Sequence, residues 1–169
     1  MSEITLKGSP VNIIGELPYA GSRAPDFILT KTDLSDVTLD NFAGKPLAMN
    51  IFPSLDTSVC AATVRRFNAE AAKLDNVNVI CVSLDLPFAH MRFCESEGIK
   101  NVLNLSELRN RDFGNRYGIR MTNGPLAGLL ARSIVLVDSQ VNIAYTQLVP
   151  EITQEPNYDE ALAFIKKMK

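Results

Sequence analysis

Histidine occurs once, at His90, and cysteine three times, at Cys60, Cys81 and Cys94. No Cys-x-x-Cys spacing is present, and the cysteines with His90 match no zinc-ligand pattern, so no metal is expected. Three cysteines are too few for a disulfide scaffold. In a reducing compartment such thiols are buried, metal-bound or catalytic. Neither sign of charge is in excess: 17 Lys and Arg oppose 19 Asp and Glu, a net charge of −2. That balance offers no attraction to nucleic acid or to an anionic membrane surface. No apolar run approaches the roughly 20 residues of a membrane span. The first residues, Met1 to Gly8, lack the basic region and apolar core of a signal peptide, so the expected location is the cytoplasm.

What is present suits one globular domain spanning 1–169. The chain has 169 residues, of which 46% are hydrophobic, enough for a sizeable core. Residues 3–14 alternate around Gly8-Ser9-Pro10 and predict a β-hairpin. Residues 15–26, rich in Gly and Pro, read as an irregular connection. Short strands are expected over Phe27–Thr30 and Val37–Leu39, then a helical turn over Asp40–Gly44. Leu47–Phe52 and Val77–Leu84 are apolar on both faces, the pattern of interior strands in a covered sheet.

Between those two strands, Ala61–Leu74 reads as an amphipathic helix. Its inner face is Cys60, Val64, Phe67, Ala71 and Leu74, and its charges are solvated. A second helix opens at Leu86-Pro87-Phe88 and stops at Gly98. Val102–Leu105 is a strand and Ser106–Tyr117 a helix. Residues 119–131 form a long loop with exposed apolar residues. Ile134–Val137 and Val141–Tyr145 make a hairpin. A last helix, Tyr158–Met168, turns Leu162, Phe164 and Ile165 inward. The order implies an α/β fold, a mixed central sheet flanked by helices.

The stretch Phe52 to Cys60 carries the chemistry. Cys60 stands where a loop becomes a helix, near the positive end of the helix dipole, a position that favours a thiolate. A free thiol, with a pKa near 8.5, is only about 3% ionised at pH 7. Lowering that pKa to about 6 stabilises the anion by roughly 3.4 kcal/mol. A helix start supplies only about 0.3–1 kcal/mol of this. Hydrogen bonds and a cation must supply the rest. Arg65, Arg66, Arg92, Arg120 and Arg132 are all candidates for that cation. Thr57, three residues earlier, can turn its hydroxyl to the sulfur, to a substrate or to the helix start. Pro53 donates no N–H and can screen the sulfur. Cys81, mid-strand, reads as a core thiol, and His90 as a surface residue.

Pro53-x-x-x-Thr57-x-x-Cys60 matches the peroxiredoxin active-site pattern. With Phe93-Cys94 on the next helix, Leu130-Ala131-Arg132 entering a late strand and the N-terminal hairpin, the whole chain resembles the thiol peroxidases, the atypical 2-Cys peroxiredoxins. Ser58, where many relatives carry proline, falls at a variable position of the motif. The resemblance implies a thioredoxin-like fold with an N-terminal β-hairpin extension. It implies a hydroperoxide substrate, thioredoxin as reductant, a homodimer involving the 119–130 loop, and no cofactor. Cys60 would be the peroxidatic cysteine and Cys94 the resolving one, forming an intramolecular disulfide. Arg132, Thr57 and Pro53 would complete the pocket. Disulfide Cα atoms must come within about 7 Å, so two cysteines in separate helices imply that a helix end unwinds. A redox relay of low turnover, or a structural oligomer, would use the same residues differently.

Overall fold

The computed structural model describes residues 2–168; Met1 and Lys169, the two ends of the expected domain, lie outside the described residues. Among the described residues, nine strands form two sheets and four α-helices accompany them. β1 (Glu3–Leu6) and β2 (Ser9–Asn12) form the predicted hairpin by themselves. The large sheet holds β3 (Ile28–Thr30), β4 (Asp36–Thr38), β5 (Leu47–Ile51), β6 (Asn78–Ser83), β7 (Leu103–Ser106), β8 (Ser133–Val137) and β9 (Ile143–Leu148). Their order is β4-β3-β7-β6-β5-β8-β9. β5, β6 and β7 run parallel, and every other pairing is antiparallel. The sheet is therefore mixed, as expected.

The central strands are buried on both faces, and the period of two sorts their residues. Leu47, Met49, Ile51, Ile80, Val82, Val135 and Val137 join the larger core, with Ile4, Val11 and Ile13 of the hairpin. Ala48, Val79, Ile134 and Leu136 join a second core beneath α1 (Ser58–Ala71) and α4 (Tyr158–Lys167). Phe52 and Cys81 belong to a third, smaller cluster. Cys60, Val64, Leu55 and Ile99 complete it, and Phe93 and Cys94 of α2 (Pro87–Glu97) pack against it. α2 ends at Gly98, whose φ of 66° is the left-handed cap that glycine adopts without a Cβ penalty.

Four expectations need correction. The helix over Ser106–Tyr117 shrinks to α3 (Asp112–Arg116). Ser106 ends β7, and the Glu107 N–H extends the ladder to the Ser83 carbonyl at 3.0 Å. The Glu107 side chain, fully buried, then takes Arg120 at 2.8 and 2.9 Å and the Gly114 N–H at 3.0 Å. That buried pair overrides local helix propensity. The apolar residues of the 119–131 loop are not exposed as a group: Ile119, Met121, Leu130 and Ala131 are buried in the larger core. The loop folds back on itself, with Ala131 N–H on the Ile119 carbonyl and Met121 N–H on Leu129.

Phe164 faces outward, 38% exposed, and stacks on Tyr145 with centroids 4.6 Å apart. It lies off the Ala161–Leu162–Ile165 stripe that α4 buries. The last hairpin strand begins at Ile143 rather than Val141, because the Asp138 carboxylate holds a turn through the Gln140 and Asn142 N–H groups. A further close approach fixes the chain before β8. Gly118 has φ 72° and a Cβ there would sit 2.2 Å from the Glu16 carbonyl oxygen, so only glycine fits.

Burial pushes the Glu107 carboxyl up while Arg120 holds it down. Removing one partner leaves a buried charge uncompensated, which costs about 3–5 kcal/mol. Arg120→Ala should therefore lower the urea midpoint far more than Arg65→Ala, which breaks an exposed pair with Glu97. Equal midpoints would show that Glu107 is not held by this pair.

Candidate active site

Thr57 starts α1 and brings Cys60 into its first turn. The Thr57 hydroxyl accepts from the Cys60 N–H at 3.4 Å and donates to the Ser54 carbonyl at 3.1 Å. Its proton is thus directed at the loop backbone rather than at sulfur. The residue is exposed, and the helix N-cap is its local use. Pro53 is buried beside it. Cys60 is wholly buried, in the cluster with Phe52, Leu55 and Val64.

Of the five arginines considered, Arg132 reaches the sulfur. Its Nη2 lies 3.3 Å from Cys60 Sγ. Nε and Nη2 both donate to the Ile152 carbonyl, at 3.1 and 3.0 Å. Nη1 is buried and has no hydrogen-bond partner among the described residues. The other four serve elsewhere: Arg65 pairs with Glu97, Arg66 with Glu70, Arg92 with Asp56 and Arg120 with Glu107. Arg132 starts no strand of its own accord; it is carried by the buried run Leu130–Val137, and only 2% of it is exposed.

A cleft of about 900 Å³ opens over this arrangement. Thr57 and Arg132 line it, and its apolar walls include Leu6, Pro10 and Val11 of the hairpin, Leu126 of the 119–131 loop, and Ile152. The hairpin is fastened there by Glu151. Its carboxylate accepts from Thr5 Oγ1 at 2.7 Å and from the Lys7 and Gly8 N–H groups at 2.9 and 3.1 Å. These bonds, led by that from Thr5, hold the carboxyl well below the usual carboxylate range.

Cys94 lies in the third turn of α2, half-buried, with its thiol free. Burial, with a smaller contribution from Glu95, pushes its pKa up. Cys81 is buried and free in the core, as expected. Burial pushes it up to about 12, against a contact from Asn50 Nδ2 at 3.6 Å.

His90 is the chief correction at the site. It is not on the surface but fully buried. Ser83 donates its hydroxyl to Asp85 Oδ2 at 2.6 Å, which leaves Ser83 Oγ to accept from His90 Nε2–H at 3.0 Å. His90 Nδ1 accepts from the Asn104 amide at 3.1 Å. The ring is a neutral bridge between β6 and β7. Its place on the Pro87–Cys94 face of α2 is the available signal, but its partners come from β6 and β7, outside its own helix. Asp85, Ser83, Asn104 and the Ile152 carbonyl carry no local sequence signal.

Cys60 thus lies buried at a helix start, touching a buried arginine beside an apolar cleft. The Redoxin family model matches residues 19–162. The chain belongs to this family. The thiol peroxidase of Mycobacterium tuberculosis is 53% identical over 163 residues, covering 96% of this chain and 98% of that one. A peroxiredoxin-like protein from Aquifex aeolicus superposes with a TM-score of 0.94 at 41% identity, over 99% of this chain and 97% of that one. Thiol peroxidase from Chromobacterium violaceum shares the fold, with a TM-score of 0.89 at 24% identity over 99% and 97% of the chains. This Redoxin chain is thus a peroxiredoxin-type peroxidase of the thiol peroxidase branch, with a thioredoxin-like fold. Its hairpin precedes the matched span.

Burial lowers the His90 pKa to about 4, with Asp85 pulling the other way. The unfolded chain takes up this proton below about pH 6.5 while the folded one does not. The unfolded state then binds more protons, so stability falls as pH drops from 6.5 towards 4. Between pH 7 and pH 5 this residue should remove about 2 kcal/mol of stability. Urea titrations of wild type and His90→Gln at both pH values check it: the variant should lose less on acidification. An identical loss would show that His90 is protonated in the fold.

Proposed function

We propose that this peroxidase reduces hydrogen peroxide and organic hydroperoxides through Cys60, with Cys94 as the resolving thiol and thioredoxin as the reductant. The observation that carries this reading is the Arg132 contact with the Cys60 sulfur, 3.3 Å long, next to an Nη1 with no partner. The guanidinium is a permanent cation held against the sulfur. The free Nη1 is a donor that a peroxide oxygen can use. The Cys60 thiolate attacks the terminal oxygen of the hydroperoxide, the O–O bond breaks, and the leaving oxygen takes a proton as water or alcohol. Cys60 becomes a sulfenic acid.

The Cys94 thiol then attacks the Cys60 sulfur. The S–S bond forms and the sulfenic oxygen leaves as water with the thiol proton. Thioredoxin supplies the two electrons that restore both thiols. Cys60 and Cys94 pack in one small cluster, which supports the pairing. Both lie within helices, so α1 or α2 must unwind locally for the sulfurs to bond. Pro53 and Thr57 shape the pocket mouth. The apolar cleft walls suit a carbon chain on the hydroperoxide. Cytoplasmic location and a homodimer are part of this reading. The likeness to thiol peroxidases supports them, with the 119–130 loop as part of the dimer interface.

A coupled assay with thioredoxin, thioredoxin reductase and NADPH tests it. Wild type should consume NADPH continuously with hydrogen peroxide and with cumene hydroperoxide, and Cys60→Ser should lose at least a thousandfold. Cys94→Ser should consume about one peroxide per site and then stop. Normal cycling by Cys94→Ser would remove Cys94 from the mechanism.

A further inference from the structure

The loop that presents Cys60 is fastened by one carboxylate. Asp85 stands between β6 and α2, partly buried. Its Oδ1 accepts from the Ser54 hydroxyl at 2.8 Å. Its Oδ2 accepts from the Leu55 N–H at 2.8 Å and from the Ser83 hydroxyl at 2.6 Å. Among the described residues, the hydrogen bonds that residues 53–57 make outside their own loop and α1 all end on Asp85. The one other polar tie is an exposed ion pair of Asp56 with Arg92 at 3.6 Å. Leu55, held by its N–H, seats its side chain in the cluster that Cys60 fills and Cys94 packs against.

Asp85 is itself firmly placed. Its N–H meets Ser83 Oγ at 3.2 Å, Ser83 meets buried His90, and His90 meets Asn104 of β7. It also immediately precedes Leu86, the N-cap of α2, which has no side-chain cap of its own. The same carboxylate therefore sits where the Cys60 loop and the Cys94 helix meet. Hydrogen bonds to a charged acceptor in a partly buried place are the strong kind. A loop that rests on so few of them opens when they are lost.

We propose that Asp85 is a positioning residue, a clasp whose hold on Ser54 and Leu55 sets how often the Cys60 loop opens towards Cys94. This rests on the Cys60–Cys94 reading above. The consequence is a partition. The Cys60 sulfenic acid has two fates. With the loop open, Cys94 sulfur bonds to it and water leaves. With the loop closed, a second hydroperoxide transfers an oxygen to it, giving the sulfinic acid and releasing water or alcohol. A tight clasp favours the second fate, and a loose one the first.

Two variants test this: Asp85→Ala removes the clasp, and Ser54→Ala removes only its Oδ1 arm. Each is cycled with thioredoxin at rising hydrogen peroxide, and the sulfinic fraction per turnover is read by intact mass. Asp85→Ala should lower that fraction by about tenfold, the effect expected from losing charged hydrogen bonds, and Ser54→Ala by a smaller factor in the same direction. A mere loss of folded protein would scale disulfide and sulfinic products together and leave their ratio unmoved. Should Asp85→Ala fail to fold, Ser54→Ala alone decides. An unchanged or raised sulfinic fraction in Ser54→Ala overturns the clasp. If wild type forms no Cys60–Cys94 disulfide with one equivalent of peroxide, the pairing itself fails. If it forms at the wild-type rate in the folded variants, the pairing stands and the clasp falls.

Discussion

A guanidinium taken almost wholly out of water needs partners, and the architecture around Arg132 is arranged to supply them. Two of its nitrogens converge on one backbone oxygen, that of Ile152. That oxygen is placed by pairing with the N-terminal hairpin: the Ile152 N–H meets the Thr5 carbonyl and the Thr5 N–H meets the Pro150 carbonyl, both at 2.8 Å. Glu151 fastens the same segment to the hairpin turn. The hairpin therefore does more than cover the larger core. It holds the carbonyl that aims the arginine, and it lends Leu6, Pro10 and Val11 to the cleft. An element that precedes the span matched to the Redoxin family is thus joined to Arg132 and the Cys60 cleft.

The three hydrophobic clusters divide the work. The larger core and the α1–α4 core fix the sheet and the frame. The cluster around Cys60 is smaller and lies at one end of the central strands, where β5 leaves the sheet at Phe52. Few apolar contacts hold it, and polar ties complete it. Regions of that kind open locally while the rest stays folded. Met49 and Val135, on the opposite face, belong to the larger core and not to this cluster.

What could be read in the sequence was what local spacing encodes. Pro53, Thr57 and Cys60 fall within two turns of chain, so their pattern is complete on the page. The unbroken apolar runs Leu47–Phe52 and Val77–Leu84 mark covered strands, and the stop at Gly98 marks the end of α2. The readings that failed were those decided by a distant partner. Glu107 looks helical until Arg120 is brought to it. His90 looks like a surface residue until Ser83 and Asn104 close on its two nitrogens. Phe164 looks like core until the stripe of α4 is laid on the sheet and leaves it outside, on Tyr145. Arg132 was selected from five arginines by resemblance; sequence spacing could not have done so, because the choice depends on β8 lying beside β5.

The fate of the single histidine constrains the chemistry. His90 spends both ring nitrogens on a bridge between strands and does not line the cleft. Burial keeps it uncharged at neutral pH. No imidazole is therefore available to take a proton from Cys60, as a thiol protease would require. Thr57 does not fill that role either: a neutral hydroxyl is too weak a base to take a thiol proton, and its oxygen already accepts from the Cys60 N–H. What remains next to the sulfur is a fixed charge and the start of a helix, neither of which can abstract a proton. On the proposed mechanism, the nucleophile must already be ionised when the hydroperoxide arrives. The residues that set the rate are then those that hold Arg132 and the first turn of α1 in place, rather than any base.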